Sequence, residues 1–92
     1  MSDQIRCRVL VGGRVQGVGF RYWTTREATG RGVTGWVTNL PDGTVQAELE
    51  GTAAAVDEVI GWFRAGGPPS AQVDDVAVEQ VRLVTSEGFE IR

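Results

Sequence analysis

The chain has 92 residues, 41% apolar and 23% charged, which fits one globular domain over 1–92 and excludes a disordered composition. A net charge of −3 argues against broad binding to nucleic acid or to an anionic membrane. With no histidine and a single cysteine, Cys7, an internal disulfide framework is excluded and a zinc site nearly so.

The N-terminal stretch MSDQIRCRVLV has no long apolar run, and no segment approaches membrane-spanning length. The expectation is a reduced, cytoplasmic monomer. All nine basic residues are arginine, and six of them (Arg6, Arg8, Arg14, Arg21, Arg26 and Arg31) fall in the first third. Arginine presents a planar fork suited to oxyanions.

Ile5, Cys7, Val9 and Val11 alternate with Arg6, Arg8 and Leu10, the period-two pattern of a half-buried strand, with Gly12-Gly13 as its expected end. Phe20 to about Arg31 reads as a helix with Phe20, Trp23, Thr24 and Ala28 on one side, closed by Gly30 and Gly32. Val33 to Asn39 reads as a second strand. Leu40-Pro41-Asp42-Gly43 is a turn: proline presets one φ and glycine supplies a positive one. Thr44 to Glu50 then alternates, with Val45, Ala47 and Leu49 on one face and Thr44, Gln46, Glu48 and Glu50 on the other, so the two strands form a hairpin.

Thr52 is placed to cap a second helix, in which Val56, Val59, Ile60 and Phe63 fall at i, i+3, i+4 and i+7. Gly66-Gly67-Pro68-Pro69 stops it. Val73 to about Leu83 is a fourth strand, and its change of phase between Val76/Val78 and Val81/Leu83 suggests a bulge. Phe89 and Ile91 mark a short last strand. The order β-α-β-β-α-β predicts an α+β, ferredoxin-like split β-α-β sandwich, an antiparallel sheet with two helices on one face. Its first two strands run parallel, which brings the loop after the first to the same sheet edge as Asn39.

Several motifs carry little. Gly30, Gly32 and Gly35 spell G-x-G-x-x-G, but they follow a helix and enter a strand, the reverse of a dinucleotide site. Cys7 lies on the apolar face and has no histidine to activate it. Glu48, Glu50, Asp74 and Asp75 read as solvated charges. Trp23, Trp36 and Trp62 read as packing residues, because the acidic chain lacks the basic–aromatic interleaving of a base-stacking surface.

The segment Gly13–Arg21, GRVQGVGFR, has two readings from its residues alone. It is a glycine-rich connector ending in a surface arginine, or it is an anion cradle. In the second, glycines at 13, 17 and 19 let successive N–H groups converge, the following helix adds its positive end, and Arg21 reaches back over the anion. No acid in the loop opposes a phosphate.

This stretch, followed by GWVTNLPDGTVQAELEG, resembles the acylphosphatase family. The matching residues are Gly13, Val15, Gln16, Gly17, Val18, Phe20 and Arg21, then Ala28, Gly32, Gly35, Trp36, Val37 and Asn39, then Asp42, Gly43, Val45, Glu50 and Gly51. Trp62, Gly67-Pro68, Ala71, Val73 and Phe89-Glu90-Ile91 extend the likeness over nearly the whole chain. Gly19 occupies a variable position, Thr38 stands where many members have a basic residue, and the sequence ends at Arg92, short of a final aromatic some members carry.

The resemblance implies the ferredoxin-like fold and hydrolysis of the carboxyl–phosphate bond of acyl phosphates, without metal or cofactor. It implies a phosphate held by backbone amides of Gln16, Gly17, Val18, Gly19 and Phe20 and by Arg21, with Asn39 positioning the attacking water. The expected partner is a small-molecule acyl phosphate, with no nucleic acid and no membrane. Two other readings stand beside it. One is a non-catalytic phosphate-sensing or interaction module on the same fold. The other is the acylphosphatase-like domain of hydrogenase-maturation proteins, which sits in a much longer chain than these 92 residues with their own start methionine.

Overall fold

The computed structural model describes residues 3–92. Its elements are β1 (Gln4–Arg14), α1 (Phe20–Gly30), β2 (Thr34–Asn39), β3 (Val45–Thr52), α2 (Ala53–Arg64), β4 (Gln72–Val81) and β5 (Phe89–Ile91). The sheet order is β4-β1-β3-β2-β5. Four strands pair antiparallel, as expected. The last does not: β5 joins β2 in parallel, so the sheet is mixed.

Side-chain parity explains the layers. Directly paired residues share a face, and Val11, Val45 and Asn39 lie in line across β1, β3 and β2. Cys7, Val9, Val11, Val37, Val45, Ala47 and Leu49 therefore share the face covered by the helices, and all are buried. Asn39 is on that same face, at the last position of β2. The sequence thus delivers a carboxamide to the end of the core, beside the start of α1.

Helix α2 follows its sequence signals. Thr52 Oγ1 accepts from the N–H of Ala55 at 3.1 Å, satisfying one otherwise free donor of the first turn. Val56, Val59, Ile60 and Phe63 are buried against the sheet, each contributing roughly 1.5–3 kcal/mol of apolar burial. Helix α1 buries Phe20, Thr24 and Ala28, at i, i+4 and i+8. Trp23 does not join them: it is 44% exposed, one step off that stripe, and its ring meets Tyr22 edge-on.

Phe20 anchors the start of α1. Its ring packs 5.6 Å from Phe63 and 5.9 Å from Trp62. A Cβ at Gly67, whose φ is +65°, would lie 2.8 Å from the Phe20 ring, so the close approach requires glycine there.

The glycine pair Gly12-Gly13 does not end β1, which continues to Arg14. The register shifts there instead, leaving Asp74 as the extra residue of β4. Gly13, at φ +124°, would put a Cβ only 2.8 Å from the Asp74 nitrogen, so these glycines permit a bulge rather than a stop. The bulge expected later in β4 is absent. From Asp75 to Val81 the pairing is regular, and Val81 falls on the far face opposite Arg6, which accounts for the change of phase.

The acidic residues of β3 also depart from expectation. Glu48 and Glu50 are buried on the far face, with Arg6 between them at 3% exposure. Arg6 Nε donates to Glu48 at 2.6 Å and its Nη1 to Glu50 at 3.1 Å, while Arg8 Nε donates to Glu48 at 2.9 Å. The segment before β5 closes over this group. The N–H groups of Val84 and Ser86 donate to Glu50 at 2.9 and 3.1 Å, flanking Thr85 at φ 57°. Burial pushes both carboxyls up, but the hydrogen bonds and the charge of Arg6, with Arg8 adding its own at Glu48, outweigh it and hold both below the usual range. Among the described residues no helix is long and apolar enough to cross a membrane.

Candidate active site

The loop between β1 and α1 is held at three places. Val15 is buried. Gln16 turns its carboxamide toward the β2–β3 turn, donating Nε2 to the carbonyl oxygens of Leu40 at 2.8 Å and Thr44 at 2.9 Å. Ser70 Oγ donates to the carbonyl of Val18 at 2.9 Å. The turn that receives Gln16 is itself tight. Gly43 N–H donates to Leu40 O at 3.1 Å, and the Thr44 hydroxyl and N–H both donate to Asp42, which holds that carboxyl below its usual range.

Gly17 and Gly19 both have φ near +75°, a conformation that costs other residues about 1–2 kcal/mol. Gly19 is the N-cap of α1 and provides no side-chain cap, and the first turn holds no acid. Among the described residues, no protein oxygen accepts from the N–H groups of residues 16–20. The positive end of α1 is thus left open at this loop.

Arg21 lies in the first turn of α1. Its Nη1 donates to the main-chain oxygen of Arg92 at 3.3 Å. Arg6, Arg8, Arg31 and Arg92 each pair with a glutamate side chain, whereas among the described residues no Asp or Glu side chain lies within ion-pair distance of Arg21.

Arg21, Asn39, Gly17, Gly19 and Phe20 line one cleft of about 190 Å³. Asn39 Oδ1 is buried there without a hydrogen-bond partner, an arrangement that costs stability unless something else fills it. Of the sequence-derived site residues, Gln16 and Val18 do not line the cleft. Val15, Tyr22 and Ile91 complete its lining and were not anticipated. Tyr22 was signalled only by its place next to Arg21. Ile91 carried no local signal, because it reaches the cleft through the pairing of β5 with β2.

Cys7 is remote from this cleft and buried, and burial, then the charge of Asp57, push its thiol up. No three His, Cys, Asp or Glu side chains gather into a metal-holding group among the described residues.

The acylphosphatase family model matches residues 7–91. A protein of Anaeromyxobacter dehalogenans named acylphosphatase is 53% identical over 93 residues, covering 100% of this chain and 99% of its own. One from Trichormus variabilis with the same name is 53% identical over 91 residues, covering 99% and 89%. Among solved structures, an acylphosphatase from Coxiella burnetii superposes with a TM-score of 0.93 at 32% identity, covering 98% of this chain and 94% of that one.

Proposed function

The chain belongs to the acylphosphatase family and is an enzyme of acyl phosphate hydrolysis, and we propose that Arg21, Asn39 and the amides of residues 16–20 carry out that reaction. The observation that supports this reading is a shared opening: the loop, the first turn of α1 and the end of β2 each contribute to one cleft.

The phosphoryl group sits against the open N–H groups of the loop and the end of α1, with the Arg21 fork on its oxygens. A water accepted by the Asn39 carboxamide attacks phosphorus. The bond between phosphorus and the acyl oxygen breaks, its electron pair leaves with the carboxylate, and the water's proton passes to the phosphate product.

This inventory suits the reaction. The leaving carboxylate has a conjugate acid of pKa about 4, so it departs without a general acid. The transition state of phosphoryl transfer is loose, so the water needs little activation. Charge stabilisation and positioning remain, and fixed donors around a guanidinium supply both. Gln16 serves by its amide and by joining loop to turn; Val18 and Phe20 serve by their amides. The same reading extends to a cytoplasmic monomer acting without metal or cofactor, supported by a lone buried thiol and a leaving group that needs no Lewis acid.

The test is hydrolysis of acetyl phosphate, with inorganic phosphate as inhibitor, in Arg21→Ala and Arg21→Lys. Both variants lose activity and most phosphate affinity, because an ammonium cannot reproduce the fork. Full activity in either would reject the role of Arg21.

A further inference from the structure

Residues 82–88 carry the chain from one edge strand, β4, beneath the sheet to the other, β5. They do so with little apolar support. All but Ser86 are exposed, Leu83 at 44% and Val84 at 60%, so burial does not hold the segment in place. The strand it delivers is short. β5 has three residues and pairs with β2 alone; Phe89 packs against the core, while Ile91 is 48% exposed.

Polar contacts from three strands hold the segment instead. Arg6, Glu50 and Thr34 lie in line across β1, β3 and β2. Both oxygens of Glu50 face the segment: Oε1 accepts from the N–H of Val84 at 2.9 Å and Oε2 from that of Ser86 at 3.1 Å. The Ser86 hydroxyl accepts from Arg6 Nη1 at 3.2 Å and shares a hydrogen bond with Thr34 at 2.7 Å. Between the two N–H donors Thr85 takes φ 57°, an unfavourable conformation for a β-branched residue, and the bonds to the carboxylate offset that cost.

The strand delivered in this way reaches the cleft. Ile91 lines it, and the main-chain oxygen of Arg92 accepts from Arg21 Nη1 at 3.3 Å and from Thr38 Oγ1 at 2.9 Å. We infer that Glu50, on the sheet face away from the helices, is a positioning residue for Arg21: it clamps residues 84–86, the clamp seats β5, and β5 holds the guanidinium ready for its anion. The inference rests on Arg21 holding the phosphoryl group. One donor spent on Arg92 leaves the others of the fork free, and a side chain already fixed loses less freedom on binding. Asn39 stands on β2 and the turn braced by Gln16, outside the clamp. Release of the clamp therefore acts on anion affinity rather than on turnover.

The experiment measures acetyl phosphate kinetics, inhibition by inorganic phosphate and amide exchange in the wild type, Glu50→Gln and Ser86→Pro. The second variant removes the strap's own donor and leaves Arg6, Glu48 and Glu50 in place, so it carries the test if Glu50→Gln does not fold. KM and the inhibition constant of phosphate rise together about three- to tenfold, the cost of immobilising one long side chain anew, while kcat stays within about twofold. The Arg92 amide, which donates to Val37 at 2.8 Å, exchanges faster by a larger factor than that of Ile60 in α2. A fall in kcat at constant KM reports lost folded protein and overturns the inference. So does tighter phosphate binding, which would make the Arg92 oxygen a competitor of the anion, or equal acceleration of exchange at Arg92 and Ile60. A wild type that phosphate does not inhibit sinks the reading of Arg21; faster exchange at Arg92 with unchanged KM and inhibition sinks the role of Glu50 alone.

Discussion

The carboxamide of Gln16 donates to the main-chain oxygen of Leu40 at 2.8 Å, joining the glycine loop to the residue that follows Asn39. The second bond, to Thr44 at 2.9 Å, fixes the other side of the same turn. The two halves of the site come from segments far apart in sequence, and this side chain sets their separation. Gln16→Ala frees both carbonyls and lets loop and turn drift. A displacement near 1 Å costs on the order of a hundredfold in rate, so kcat on acetyl phosphate falls about ten- to hundredfold. Stability falls by about 1–3 kcal/mol. Kinetics and urea unfolding of the same variant read both effects; an unchanged kcat would remove Gln16 from the positioning of the site.

The buried group of Arg6, Glu48 and Glu50 gives stability a defined dependence on acid. Both carboxyls titrate below their ordinary value of 4.5 in the folded chain. The unfolded chain therefore binds protons more readily, and protonation favours unfolding. The contribution is complete above about pH 4.5 and is lost as pH falls through the lowered values. Thermal melts between pH 7 and pH 3 should show Tm steady at first and then dropping. Arg6→Met leaves Glu50 buried with no cation and Glu48 with Arg8 alone, and destabilises by about 3–5 kcal/mol. A variant as stable as the parent would mean that the carboxylates find other partners.

Chelators and thiol reagents should leave the native rate unchanged. Cys7 is buried and its thiol is shifted away from ionisation, and the thiolate is the reactive form. The leaving group asks for no Lewis acid. Modification of Cys7 should appear only in denaturant, read by mass spectrometry. A rate that falls with EDTA and returns with a divalent ion would point to a metal the proposed chemistry lacks.

The sequence made α2, β3 and the turn at Leu40–Gly43 legible because their signals are local: a 3.6-residue stripe with Thr52 as cap, strict alternation, and a proline and a glycine in turn positions. Asn39 beside the loop was legible from chain order and strand direction. What escaped depended on distant contacts. Glu48 and Glu50 alternate as solvent-facing residues do, and only the return of residues 84–86 beneath the sheet buries them. Gly12-Gly13 looks like a stop, yet its purpose is the close approach of β4 at Asp74. Within the site, the resemblance implies a role for the backbone amide of Gln16, while the hold of its side chain on the turn has no local signal. Ile91 enters only through a parallel pairing that three residues do not announce.

Asn39→Ala tests the central claim most directly, because it separates aiming water from holding phosphate. Acetyl phosphate turnover should fall by at least about a hundredfold, while the inhibition constant for inorganic phosphate stays within about threefold of the parent's. Turnover that persists, or phosphate affinity that weakens in step with it, would contradict the assignment of water to the carboxamide and of phosphate to Arg21 and the loop.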